Sequence, residues 1–227
     1  MNSLQVISSP WSEPWVAWTM LGLLVLVGIA HGMQPQAITM GFRSLFSAGD
    51  RNSTFIDTAL DKRAQAIMLF FAVCTLSMAT YISVFAWTRG HDFSFTNYGI
   101  IILFATGLLL IRTALEAFAG FTFVSRSGID AFIDHYYHLT VCTALVLYPV
   151  VILSLFWSVL TPAIIVILNA TIIAFYLIIL LVKSCSILVH SVRGFFYILL
   201  YIITLEILPI VALVGFTVYS LWGVQLD

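Results

Sequence analysis

The segment GFFYILLYIITLEILPIVALVGFTVYSLWG, residues 194–223, holds a single charged side chain, Glu206, in the middle of an otherwise apolar run. A helix needs about 20 predominantly apolar residues to cross the hydrocarbon layer, so this run is long enough to span it. A carboxyl group at that depth costs about 3 kcal/mol unless it is paired, protonated or wetted, so Glu206 marks a place where structure or function compensates.

Working outward, five further runs pass the same test: residues 14–33, 63–87, 98–120, 136–157 and 161–183. The composition agrees, since 62% of the chain is apolar, 8% is charged and the mean hydropathy is +1.09, values outside the range of soluble domains. Backbone groups in lipid must be satisfied within their own segment, and runs without strict alternation fit helices rather than barrel strands. The expectation is an all-α polytopic bundle of about six spans forming one transmembrane domain over residues 1–227, with the loop 34–62 as its main irregular connection.

Nine Lys and Arg face ten Asp and Glu, but the cations are unevenly placed. Arg43, Arg51, Lys62, Arg63, Arg126, Lys183 and Arg193 fall on alternate connections, Arg89 alone flanks the other side, and Arg112 lies within a span. The positive-inside rule puts the richer side in the cytoplasm and both termini outside. The first 13 residues contain no basic residue and so lack the charged start of a cleavable signal. Trp11, Trp15 and Trp18 read as an interfacial anchor. Cys74, Cys142 and Cys185 form no CxxC pair and read as small packing residues.

Within the loop, Ala37–Phe46 has the pattern of a short helix lying in the interface. Asn52-Ser53-Thr54 can cap the helix that follows; it also matches a glycosylation sequon, which its cytoplasmic side argues against. Gly28 and Gly32, four residues apart, would let another helix approach the first one closely.

Three groups of residues bear on chemistry. Arg112 and Glu116 share a helical face at i, i+4, and with Glu206 they form a candidate polar intramembrane site; a pair between Arg112 and Glu206 across helices is geometrically reasonable. Such a group can relay protons, hold an ion or an anionic headgroup, or simply fix helix packing. Pro209 follows Glu206 by three residues and Pro149 follows Tyr148, and both are expected to kink their helices by removing a backbone donor. His31, His135, His138 and His190 map to the cytoplasmic boundary with Asp130 and Asp134. His31, His135 and His138 are the weak candidates for a metal or haem, since the i, i+3 spacing of the last two comes with no cysteine ligand and no HExxH. No GxSxG, phosphate-cradling loop or dinucleotide fingerprint occurs, so no catalytic residue is assigned and no cofactor is expected.

The run Tyr201-Ile202-Ile203-Thr204-Leu205-Glu206-Ile207-Leu208-Pro209, with His138-Leu139 and Leu147-Tyr148-Pro149 upstream, resembles an uncharacterised integral-membrane family of Bacteroidota catalogued as a domain of unknown function. The resemblance covers most of the chain, with the TLEILP run as its sharpest part. It implies a multi-pass bacterial inner-membrane protein with Glu206 and Pro209 at signature positions, and it implies no reaction. The expected role is a non-enzymatic subunit of a cell-envelope or secretion assembly, in contact with lipid and with other membrane subunits or a second copy, and not with nucleic acid. The alternatives are a small transporter or lipid-handling protein built on Arg112 and Glu206, and a haem or metal redox protein built on the histidines.

Overall fold

The computed structural model describes residues 13–33, 59–88, 93–123, 126–157, 160–188, 204 and 207–223, with backbone alone at 59–61, 116–123, 126–135, 183–188 and 222–223. The interfacial helix expected over Ala37–Phe46, the cap at Asn52-Ser53-Thr54, Trp11, His190 and Glu206 lie outside the described residues.

Every long described element is a helix: α1 Pro14–Met33, α2 Ala59–Thr88, α3 Phe95–Phe123, α4 Arg126–Phe156, α5 Pro162–Leu188 and α6 Leu208–Gly223. Their starts follow local chemistry. Proline opens α1 and α5, where its missing N–H costs nothing because first-turn donors have no helical partner. Ser94 caps α3 by accepting the Asn97 N–H on its hydroxyl at 3.3 Å. Five of the helices contain stretches long and apolar enough to cross a membrane: Pro14–Met33, Lys62–Thr88, Phe95–Leu115, Tyr136–Phe156 and Pro162–Val182. Within the sixth expected span, residues 194–223, Thr204 and Ile207 are π-helical and the α-helix Leu208–Gly223 follows, its 16 residues reaching about 24 Å at 1.5 Å per residue.

Helices α1 to α5 run alternately up and down the bundle. At one end Ala30 of α1, Met68 of α2 and Val141 of α4 pack together, with Leu139 of α4 against Tyr176 and Leu180 of α5 beside them. At the other end Trp15, at the start of α1, stacks on Phe93 at 5.4 Å and Tyr98 at 5.7 Å, and Phe93 stacks on Tyr81 of α2 at 4.5 Å. Tyr81 also holds the entry to α3 through its hydroxyl, which accepts the Ser94 N–H at 3.0 Å. Trp15 thus serves as a packing residue, whereas Trp18, 72% exposed, is free to sit at the membrane boundary as the anchor reading expects.

Helix α2 touches all five others and forms the axis of the bundle. Within its membrane-length window 72% of residues are buried, against 17% in α3 and in α5. Its composition permits this, because Ala64, Ala72, Cys74, Ser77 and Ala79 are small and let neighbouring backbones approach. Several buried hydroxyls back-bond within their own helices: Thr80 donates to the Leu76 carbonyl at 2.9 Å, Ser154 to Val150 at 2.8 Å and Thr217 to Leu213 at 2.7 Å. Hydrogen bonds also cross between helices. The Tyr98 hydroxyl donates to the Cys74 carbonyl at 3.1 Å, the Tyr148 hydroxyl to the Met20 carbonyl at 2.7 Å, and the Asn169 amide to the Ser83 hydroxyl at 2.7 Å. They tie α3 and α5 to α2, and α4 to α1.

Candidate functional site

Helices α3 and α4 are separated in sequence by residues 124–125 alone. Arg112 lies 12 residues before Val124 and Tyr136 lies 11 residues after Ser125, so the two meet at one level. The Arg112 guanidinium carbon stands 3.3 Å above the centre of the Tyr136 ring. With 5% of its surface exposed, Arg112 is buried three residues inside the end of the candidate span at Leu115. The ring face stabilises the cation electrostatically, and a planar guanidinium is the cation best suited to lie flat on it. Its backbone lies about 4.5 Å from the span end at 1.5 Å per residue, a depth from which so long a side chain can reach the interface.

The same end of the bundle carries His138, buried on α4 with its ring edge-on to Tyr137 at 5.3 Å, and Tyr176, buried on α5. Tyr136 joins the two groups, carrying Arg112 on its ring face and packing against the cluster of Leu139, Tyr176 and Leu180, so the cation lies between α3 and α4 beside the buried Tyr176 of α5.

The other expected site residues divide into those placed and those not. Glu116 is one turn beyond Arg112 on α3, with backbone alone described, and Glu206 lies outside the described residues, so the expected pairing of Arg112 with Glu206 does too. Pro149 is inside α4 and exposed, leaving the Leu145 carbonyl without its helical donor, while Tyr148 beside it reaches across to α1. Pro209 lies just after Ile207, which like Thr204 is π-helical, at the passage from π- to α-helical backbone that opens α6. Gly28 and Gly32 are exposed on α1, and among the described residues no atom lies within 4 Å of a β-carbon built on either. The close approach they permit is not made within the described part of the chain.

His31 is exposed at the end of α1, His138 is buried, and His135 is described by its backbone alone. Among the described residues no three His, Cys, Asp or Glu side chains are grouped to hold a metal ion. Cys74 and Cys142 are buried free thiols, as packing residues should be.

Two residues that matter here were passed over by the sequence reading. Tyr136 reads as part of an aromatic rim, Tyr136-Tyr137, and nothing in the sequence marks it as the platform for Arg112 except their similar sequence distance from residues 124–125. Asn169 is the one asparagine inside an expected span, and that rarity was its signal. It is 2% exposed and joins α5 to α2.

Long apolar helices around a buried axis, with a charged side chain folded inside and aliphatic residues such as Leu103 and Ile167 turned outward, define a multi-pass helical membrane protein. Within that class the chain belongs to the family described as domain of unknown function (DUF4271), whose model matches residues 16–217. No curated protein and no solved structure matches the chain.

Proposed function

We propose that this protein is a non-enzymatic subunit of an assembly in the bacterial inner membrane, with both termini outside, joined to its partners through its transmembrane helices. The observation that carries this reading is the face of α1 bearing Gly28 and Gly32. The axis helix α2 is already touched by the five other described helices, and among the described residues nothing lies within 4 Å of a β-carbon built on either glycine, two bare backbone positions one helical turn apart. Glycine at four-residue spacing is the arrangement that lets a second helix approach closely in lipid, where close packing substitutes for the hydrophobic effect. The mass outside the membrane is small, which favours recognition within the bilayer.

The test is purification in mild detergent. The unmodified protein is expected to co-purify with a defined membrane partner, a different chain or a second copy. Gly28→Ile with Gly32→Ile is expected to release that partner while leaving the thermal stability of the isolated chain unchanged. Retained association in the double variant, or recovery of the unmodified protein only as a free monomer, would overturn the reading.

A second reading rests on the burial of Arg112: transport, or handling of lipids with anionic headgroups, at a polar site shared with Glu206. Its test is reconstitution into vesicles containing anionic lipid. Glu206→Gln should abolish uptake or lipid movement at unchanged expression, and retained activity removes this reading.

A further inference from the structure

The two ends of the bundle present different surfaces among the described residues. At the end where Trp15, Phe93 and Tyr81 stack, Trp18 of α1, Trp87 of α2, Phe95 of α3 and Trp157 just past α4 are all exposed. At the opposite end Arg63 is exposed on α2 and the Arg112 guanidinium rests on Tyr136. The large apolar side chains exposed there, such as Ile29, Leu115 and Val182, are aliphatic. Indole rings prefer the boundary between hydrocarbon and headgroups, where the ring body lies in lipid and the N–H is wetted, and cations stop at the same boundary.

These residues fall at two levels. Ala30, Met68 and Val141 pack together and so share a height in the bundle. Arg63 precedes Met68 by five residues and Tyr136 precedes Val141 by five, both towards the same end. That brings Arg63 and Tyr136, with the Arg112 head on its ring, to one level about 7.5 Å beyond the cluster. Four helices then measure the distance from this level to the exposed aromatic residues. Arg63 to Trp87 on α2 is about 36 Å and Tyr136 to Trp157 about 32 Å at 1.5 Å per residue. Trp157 still follows the helical rise, since its N–H donates to the Leu153 carbonyl at 2.9 Å. Arg112 to Phe95 on α3 is about 26 Å, and Trp18, about 18 Å from Ala30, also stands about 26 Å from the level of Arg63. These lengths bracket the roughly 30 Å of a hydrocarbon core. The interior of the fold does not require the match, because exposed rings contribute little to it.

We propose that the protein grips phospholipid headgroups at two levels about 30 Å apart, through an aromatic ring of Trp18, Trp87, Phe95 and Trp157 at one boundary and the level of Arg63, Arg112 and Tyr136 at the other. Arg112 is then a boundary residue, and the midplane passes close to Leu103, eight residues from Phe95 and nine from Arg112. Leu103 has the greatest exposure of the large apolar side chains described, as suits a position facing the acyl chains. This goes beyond the subunit reading and does not depend on it.

Nitroxides attached at Phe95→Cys, Leu103→Cys and Ile111→Cys, three exposed positions on α3, test the proposal in phospholipid vesicles. The background is Cys185→Ala, with the buried Cys74 and Cys142 left in place. The ratio of collision rates with oxygen, which concentrates at the bilayer centre, and with a polar nickel chelate, which stays outside, should be highest at Leu103→Cys. It should fall at both Phe95→Cys and Ile111→Cys, the neighbour of Arg112. A ratio highest at Ile111→Cys would put Arg112 in the hydrocarbon interior and overturn the proposal, as would one highest at Phe95→Cys or constant along α3. Tryptophan emission of the unmodified protein gives an answer that needs no variant to fold. A lipid nitroxide near the headgroup should quench it more than the same nitroxide near the end of the acyl chain, and equal or reversed quenching would overturn the aromatic boundary.

Discussion

Arg112 keeps a full positive charge with 5% of its surface exposed, in a helix whose neighbours are mostly aliphatic. Removing such a group from water is costly, and the Tyr136 ring face at 3.3 Å offsets part of that cost without bringing in another charge. A cation–π contact in a desolvated place is worth about 2 kcal/mol, so Tyr136→Leu should destabilise the protein by roughly that amount in detergent unfolding. Tyr136→Phe keeps the ring face and should lose less. Equal losses for the two variants would mean that the tyrosine hydroxyl, and not the ring, matters to Arg112.

At the scale of the helix, the question is why α2 and not α3 became the axis. The two are equally apolar over their membrane-length windows, yet 72% of the α2 window is buried against 17% for α3. Hydropathy cannot separate them, because a leucine is as well solvated by acyl chains as by other side chains. Side-chain size does separate them, since α2 presents Ala72, Cys74, Ser77 and Ala79 where neighbours press closest. Ala79→Leu should therefore cost about 1–3 kcal/mol by overpacking the seam with α5. Leu103→Ala on α3, at a position 77% exposed, should change stability by less than about 0.5 kcal/mol. Unfolding midpoints in detergent check both, and similar effects at the two sites would deny α2 its special place. The run lengths of the spans were legible in sequence for this reason: α1 occupies the expected residues 14–33, and α2 to α5 contain or closely match their expected runs. Long apolar runs fix where helices cross. The order in which they enclose one another depends on small residues and on single polar side chains such as Asn169, whose partner Ser83 is 86 positions away in the chain.

For the whole molecule, the antiparallel order of the helices places the start of α1 and the end of α2 at one face and the start of α2 at the other. Combined with the excess of Lys and Arg on alternate connections, this predicts which face is outside. In cells with a permeabilised outer envelope, an impermeant thiol reagent should label Glu13→Cys and Trp87→Cys and should spare Arg63→Cys. The reverse pattern would invert the topology, and labelling of all three would deny that these positions are separated by a membrane. The candidate site was only partly legible at this scale. Arg112 stood out because charge is rare in such a chain, whereas Tyr136 meets it through the packing of α3 beside α4, which hydropathy alone does not fix.

The central claim, a membrane bundle wrapped around α2, is tested most directly by photolabelling the unmodified protein in vesicles with a carbene-generating lipid probe and mapping the adducts by mass spectrometry. Peptides of α3 and α5 should be heavily labelled at outward positions such as Leu103 and Ile167, and the stretch from Phe71 to Val84 of α2 should be nearly free of adducts. Labelling of α2 to the same extent as α3 and α5 would contradict the account.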